Sequence, residues 1–175
     1  MTEPATGKQQ VELVGVRIEL PHSQPVVLLR HPLTEKYIPI FIGAPEAAAI
    51  ALEQQKISTP RPMTHDLLVS VVKGLGSKVI EIEITRVDDT VFYAELVLSN
   101  GERIDARASD ALAVAIRFDC PIFVAADVLA QAGLKLEDRS EEETEAEGEP
   151  VDEEAEMAKF REFLDDVNPD DFSQQ

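Results

Sequence analysis

Residue types that transfer protons or bind phosphate cluster where three helices are predicted to begin. The stretch TPRPMTHDLL brings Arg61, His65 and Asp66 to the start of one helix. Histidine is a general acid or base near neutral pH, and arginine binds phosphate through two parallel hydrogen bonds. The other two helix starts carry Glu46, which follows GAP, and the pair Ser109–Asp110, which follows DAR.

The segment before the third helix start favours phosphate binding. In RIDAR, the side chains of Arg103, Asp105 and Arg107 share one face of a predicted strand, because side chains alternate along a strand. Free N–H groups at a helix N-terminus and neighbouring guanidinium groups together form an anion site. We therefore expect phosphate to be bound by Arg61, Arg107 and Ser109.

Carboxylates from different elements could hold a divalent metal ion against a phosphodiester. Mg²⁺ and Mn²⁺ prefer oxygen ligands and stabilise the charge that develops on phosphate oxygens. This hypothesis assigns the metal to Asp66, Asp105 and Asp110, and it assigns proton transfer to His65, with Asp66 and Asp110 also catalytic. No spacing rule links residue 66 to residues 105–110, so the sequence leaves the geometry of the site open.

The same residues have structural roles in an alternative hypothesis. Ser and Thr cap helix N-termini, and acidic residues in a first turn complement the helix dipole. The arginines would then form ion pairs with Asp66, Asp105 or Asp110 that stabilise the fold. Under this hypothesis the protein is a non-enzymatic regulatory or protein-interaction module, and the polar cluster is structural or binds a small anion.

The pattern of apolar residues predicts an α+β domain with a mixed β-sheet and packed helices. Strands and helices mix without strict βα alternation, and Pro39 indicates a sheet edge or a strand end. Thr64 and Ser109 are the expected N-caps of two helices. The predicted strands are 11–20, 26–31, 37–43, 78–87, 91–100, 101–107 and 121–125, and the predicted helices are 46–55, 65–76, 109–118 and 126–133.

The charge of the chain is concentrated at its C-terminal end. Of the 34 acidic residues, 17 lie in residues 137–175, where only 3 of the 16 basic residues occur. A segment with few apolar residues and high like charge is typically disordered. We therefore predict a disordered N-terminus over 1–10, the domain over 11–136, an acidic disordered linker over 137–154, and an amphipathic C-terminal helix and tail over 155–175.

Cysteine usage and hydropathy indicate a cytoplasmic protein without a membrane segment. The single Cys120 excludes an internal disulfide, and its position before Pro121 favours a small buried hydrophobe rather than a nucleophile. The N-terminal MTEPATGKQQ lacks the apolar run of a signal peptide, and no apolar run in the chain is long enough to span a bilayer.

Three motifs, in this order and spacing, resemble the bifunctional nuclease family over about residues 11–135: IPIFIGAPEAAAIAL, PRPMTHDLL and IDARASDALAVAIR followed by PIFV. The closing FREFLDDVNPDDF is similar to the tails of some bacterial members. One departure is Ala108, where the family usually has proline before Ser-Asp. The polar positions that match the family's motifs are Glu46, Arg61, His65, Asp66, Asp105, Arg107, Ser109 and Asp110.

The resemblance implies nuclease activity on both RNA and DNA. It also implies an α/β-type domain that forms homodimers or larger homo-oligomers. Combined with the residue-based hypothesis, it leads us to expect metal-assisted, sequence-nonspecific hydrolysis of RNA and DNA with Mg²⁺ or Mn²⁺.

Overall fold

The alternating segments of the chain form one mixed eight-stranded sheet in the computed structural model, which describes residues 7–19 and 22–135. Four helices accompany the sheet, so the predicted α+β class is confirmed. The strands are β1 Lys8–Glu19, β2 Gln24–His31, β3 Lys36–Phe41, β4 Val79–Asp88, β5 Val91–Leu98, β6 Arg103–Arg107, β7 Ile122–Ala125 and β8 Leu134–Lys135. The helices are α1 Ala44–Gln54, α2 Thr64–Gly74, α3 Ala108–Phe118 and α4 Ala126–Ala132.

The sheet joins two antiparallel meanders through the short strand β7. Its strand order is β6-β5-β4-β7-β1-β2-β3-β8. The β4–β7 pair is parallel, whereas the other six pairs are antiparallel. A parallel pair needs a crossover connection, which β5, β6 and α3 supply here. The crossover therefore carries α3 across the sheet, and the start of α3 directly follows the edge strand β6.

Helix α3 is the most deeply buried helix of the described residues. Five consecutive residues of α3, Ala111 to Ala115, are at most 1% exposed. Three of them are alanines, whose small side chains let α3 approach α1, α2 and the sheet closely. Aliphatic side chains such as Leu112, Ile82 and Ile84 fill the space between α3 and the sheet.

The N-terminal boundary differs from the sequence-based prediction. Strand β1 begins at Lys8, so the predicted disorder over 1–10 is wrong for residues 8–10. These polar residues pair with β7, and Lys8 also contacts Glu81 and lies over the ring of Phe123. Long-range pairing thus orders a segment whose own composition does not favour a strand.

Two helix caps also differ from the prediction. The N-cap of α2 is Met63 rather than Thr64, because Asp66 in the first turn accepts a hydrogen bond from the Met63 N–H at 2.9 Å. The N-cap of α3 is Arg107 rather than Ser109. Both helices therefore begin earlier than predicted, and Ser109 lies inside the first turn of α3.

Two predicted segments lie outside the described residues, namely the acidic linker 137–154 and the C-terminal helix and tail 155–175. Residues 1–6 of the predicted N-terminal segment lie outside them as well. The described residues belong to a unit that ends at Leu136. No helix within 7–19 and 22–135 has the length and apolar character needed to cross a membrane.

We predict that Leu112→Ala lowers the free energy of unfolding by about 2–5 kcal/mol, because the fully buried side chain leaves a cavity against the sheet. Urea denaturation of the purified chain measures the change. Leu33→Ala, at a residue that is 85% exposed, is the matched control and should change stability by less than about 0.5 kcal/mol. Equal effects of the two substitutions would contradict the central position of α3.

Candidate functional site

Two charged contacts join the first turn of α2 to α3. The Nε2 of His65 lies 3.0 Å from Oδ1 of Asp110, at the start of α3. The Nε–H of Arg117, in the last turn of α3, donates to Oδ1 of Asp66 at 2.6 Å. Adjacent residues of α2 therefore contact both ends of α3.

Asp110 also connects α2 to the start of α1. Its second oxygen, Oδ2, accepts a hydrogen bond from Nε–H of Arg107 at 2.6 Å. The same guanidinium group donates through Nη2 to Oε1 of Glu46 at 2.8 Å. The three polar helix starts thus meet in one chain of contacts, His65–Asp110–Arg107–Glu46, which we call the junction cluster.

The charges of the junction cluster are set by its own contacts. Burial raises the pKa of Asp110, but hydrogen bonds from Arg107 and His65 together lower it below its ordinary value. The pKa of Arg107 is raised, first by its hydrogen bond to Asp110 and then by the one to Glu46. Asp110 is therefore a carboxylate and Arg107 a guanidinium cation across the physiological range.

The ionised Asp110 orients the ring of His65. A carboxylate only accepts hydrogen bonds, so Nε2 of His65 is the donor and Nδ1 is left to accept a proton. His65 is 8% exposed, and within the described part of the chain no buried side-chain nitrogen or oxygen lacks a partner. Since Nδ1 of His65 forms no hydrogen bond with another described residue, it is not one of the fully buried atoms and remains accessible to solvent. A histidine held in this way can serve as a general base.

Asp66 has a different environment from Asp110. Its Oδ2 accepts from Met63 N–H, and its Oδ1 accepts from Arg117, whose side chain is 6% exposed. Arg117 also donates to the carbonyl oxygens of Ala113 and Ala49, at 2.9 and 3.1 Å. These contacts, with that of Arg117 first, lower the pKa of Asp66. Asp66 thus connects α2 to α3 and α1 through the buried guanidinium group of Arg117.

The three carboxylates predicted to bind a metal have different partners. Asp66 pairs with Arg117, whereas Asp110 pairs with His65 and Arg107. Asp105 lies exposed on the edge strand β6, opposite Glu95. Among residues 7–19 and 22–135, no group of three His, Cys, Asp or Glu side chains is arranged to hold a metal ion. These carboxylates therefore do not fit a shared metal site.

A groove of about 420 Å³ lies beside the junction cluster, between the starts of α1 and α3. Arg107 and Ser109, two of the three predicted phosphate ligands, line it, and the third, Arg61, does not. Ser109 is a buried residue that contributes to the lining of the groove. Phe41 and Phe92 form an apolar side of the groove. A phosphate with an adjoining flat apolar group matches this lining.

Sequence reasoning missed two features of the site. Arg117 was not chosen, although it is the one basic residue of α3 and lies seven positions after Asp110, two turns along the same helix. Glu46 was noted without a role, and it is the second acceptor for Arg107. A Cβ at Gly43 would meet Oε2 of Glu46, so a larger residue there would shift that carboxylate.

Comparison with known proteins identifies the family. Residues 27–137 match the family described as the bifunctional nuclease domain, so the chain belongs to that family. The chain is also similar to two uncharacterized proteins of Mycobacterium tuberculosis, MT1877 of strain CDC 1551 and Rv1829 of strain H37Rv. Each is 47% identical over 163 residues, which cover 93% of this chain and 97% of the relative.

We predict that Asp66→Asn destabilises the protein at neutral pH by about 1–3 kcal/mol, because it weakens the partner of a buried guanidinium group. The lowered pKa means that the carboxylate's contribution is complete above the unfolded-state value and is lost as pH falls through the folded-state value. The stability difference between wild type and variant should therefore shrink below about pH 4.

Thermal unfolding from pH 7 to pH 3 measures this difference. Asp105→Asn removes the same charge from an exposed strand position and serves as the control. A difference between Asp66→Asn and wild type that stays constant over this range would contradict the ion pair.

Proposed function

We propose that this member of the bifunctional nuclease domain family hydrolyses phosphodiester bonds of RNA and DNA at the junction cluster. The observation that carries the proposal is the hydrogen bond between His65 and the ionised Asp110, which also accepts from Arg107, a residue that lines the groove together with Ser109. The family description supports nuclease-type chemistry, and the cluster offers a proton-transfer group next to phosphate ligands.

In this proposal His65 transfers protons and Asp110 positions it. Nδ1 of His65 takes a proton from the attacking hydroxyl or water, while Asp110 holds Nε2–H and stabilises the imidazolium that forms. Arg107 binds the phosphate through Nη1, because its Nε and Nη2 already donate to Asp110 and Glu46. The Ser109 hydroxyl supplies a second donor in the groove. The protonated imidazole then protonates the leaving oxygen.

The lining of the groove favours cleavage without sequence preference. Contacts from Arg107 and Ser109 to phosphate carry no base information. Phe41, which is 50% exposed, offers a ring on which any base can stack. Neither type of contact distinguishes ribose from deoxyribose, which agrees with activity on both RNA and DNA.

The metal requirement is a separate part of the proposal. Mg²⁺ or Mn²⁺ was expected from Asp66, Asp105 and Asp110, and these carboxylates do not fit one site in the described residues. We therefore derive no catalytic step through a metal ion. Assays with Mg²⁺, with Mn²⁺ and with EDTA decide whether the reaction needs a cation.

A second candidate function follows from the ion pairing itself. Both Asp66 and Asp110 are bonded to arginines, as expected for a structural network. Arg107 also faces two carboxylates, which weakens its attraction for phosphate. Under this alternative the protein is a regulatory or interaction module, and the junction cluster fixes the helices or binds a small anion.

We predict that His65→Gln lowers the cleavage rate about 10²–10⁴-fold, as expected for loss of a general acid–base group. Asp110→Ala should lower it similarly, because the imidazole loses its orienting carboxylate. The assay uses the purified full chain and fluorescent single-stranded RNA and DNA. Arg103→Ala is the matched control, because Arg103 forms paired contacts with Glu83 and Glu95 outside the cluster.

The outcomes separate the two functions. Cleavage at equal rates in wild type and in both cluster variants would exclude the assigned site. If wild type is inactive in every condition and Asp110→Ala markedly lowers the melting temperature, the interaction module is the better assignment. A melting temperature unchanged by Asp110→Ala, together with lost cleavage, supports the nuclease.

A further inference from the structure

A cavity of about 460 Å³ lies between the C-terminal end of α1, the first half of α2 and the segment that joins these two helices. Residues of the joining segment 56–63 form one wall, and those from 56 to 62 are exposed throughout. Arg117 of α3 lines the cavity from the side of the domain. We call this space the α1–α2 cavity, and it shares no lining residue with the groove beside the junction cluster.

Arg117 keeps unused hydrogen-bond donors in the α1–α2 cavity. Its bonds to protein groups use the Nε–H and one N–H of each Nη atom, which donate to Asp66, Ala113 and Ala49. A guanidinium group carries two N–H bonds on each Nη atom and stays charged at all physiological pH values. Each Nη atom of Arg117 therefore keeps a second N–H. Because the side chain is 6% exposed and lines the cavity, a ligand in the cavity is the available acceptor.

Two further donors lie on the joining segment. Lys56 lines the cavity and its side chain is 76% exposed, so its ammonium group lies at the opening. This ammonium group donates to Oε1 of Glu53 at 2.7 Å and has two more N–H bonds. Ser58 is an exposed lining residue whose hydroxyl can also donate. Donors from two separate elements, α3 and the joining segment, thus line one cavity.

The acidic residues of the wall are already paired. Both oxygens of Asp66 accept hydrogen bonds, one from Arg117 and the other from the N–H of Met63. Glu53 is paired with Lys56, and this exposed contact contributes little to stability. An oxyanion at the opening can therefore take hydrogen bonds from Lys56 without breaking a strong contact. The free polar groups of the cavity favour an acceptor over a donor.

Apolar side chains form the remainder of the lining. Leu52, Ile57 and Met63 all line the cavity. Ile57 is 51% exposed, so contact with an apolar group would remove hydrocarbon surface from water. Small-molecule pockets of roughly 300–1,000 Å³ combine apolar walls with a few polar groups that fix the orientation of the ligand. The volume and lining of the α1–α2 cavity match this description.

We propose that the α1–α2 cavity binds a small organic anion. Its carboxylate or phosphate group accepts hydrogen bonds from Arg117, Lys56 and Ser58, and its short apolar part lies against Ile57 and Met63. Hydrogen bonds from charged donors are stronger to an oxyanion than to a neutral acceptor. The proposal is independent of the proposed nuclease activity, because no member of the junction cluster lines this cavity.

NMR titration of the full chain tests the site with four probes of similar size, namely butyrate, butyl phosphate, butanol and butylamine. The signals to follow are the backbone amides of residues 57–59 and the Nε–H of Arg117. The ionic strength is held constant, so that screening of surface charges is the same for every probe. At least one of the two anions should shift these signals saturably, and butanol and butylamine should not. The anion that binds more tightly identifies the head group as carboxylate or phosphate.

Two substitutions place the binding in the cavity. Lys56→Met removes a charged donor and leaves Glu53 facing the anion, so it should weaken binding at least about tenfold. Lys78→Met, at an exposed lysine that does not line the cavity, is its control and should bind like wild type. Ser70→Phe fills the cavity and should abolish the shifts. Val71→Phe introduces the same ring at the next residue, outside the lining, and should leave binding unchanged.

Arg117 is retained in all variants, because its contacts join α3 to α1 and α2. Circular dichroism establishes that each variant is folded. The proposal is overturned if neither anion produces a saturable shift in folded wild type, or if butanol or butylamine shifts the same signals as strongly as the anions. Binding that persists in Ser70→Phe would also overturn it. Cleavage assays on the junction cluster variants leave this test unaffected, so the two proposals fail separately.

Discussion

The hydrogen bonds of Asp110 are the constraint on which the three helix starts depend. One carboxylate accepts from His65 of α2 through one oxygen and from Arg107 through the other, and Arg107 continues to Glu46 of α1. Because these contacts share Asp110 and Arg107, removing either residue breaks more than one of them, so their contributions are coupled rather than independent. The starts of α1, α2 and α3 are therefore joined by charged contacts as well as by apolar packing.

The small residues of α3 make this arrangement possible. Large side chains at Ala111, Ala113 or Ala115 would push the neighbouring helices outward, beyond the reach of short carboxylates. With alanines there, Arg117 reaches a carbonyl of α1 and one of its own helix while it binds Asp66. The close approach also satisfies the buried guanidinium group, which would otherwise be costly. The apolar packing of α3 and the hydrogen bonds of Arg117 thus depend on the same alanines.

Local pattern was enough to predict most elements, because strand alternation, helical periodicity and turn residues are read within a few positions. It was not enough for Lys8–Gln10, which become a strand only by pairing with β7. The choice of carboxylates illustrates the same limit. Asp66 and Asp110 were chosen by residue type, but their partners come from 51 and 45 positions away. The tertiary fold decides these two pairs, whereas the contact between Arg107 and Asp110 spans three positions and is local in the sequence.

The two charged contacts that join α2 to α3 have different surroundings. In the Asp66–Arg117 pair the guanidinium group is buried, whereas the His65–Asp110 pair continues to Arg107, which lines the groove. Under the proposed function, the contact between His65 and Asp110 supports proton transfer only while both helices keep their places, because hydrogen-bond strength falls steeply with misalignment. In this fold α3 packs on the sheet, and α2 is held by the buried Val69 and by the contacts of His65 and Asp66 with α3. Under the proposed function, any change in the position of α2 would therefore alter the contact between His65 and Asp110.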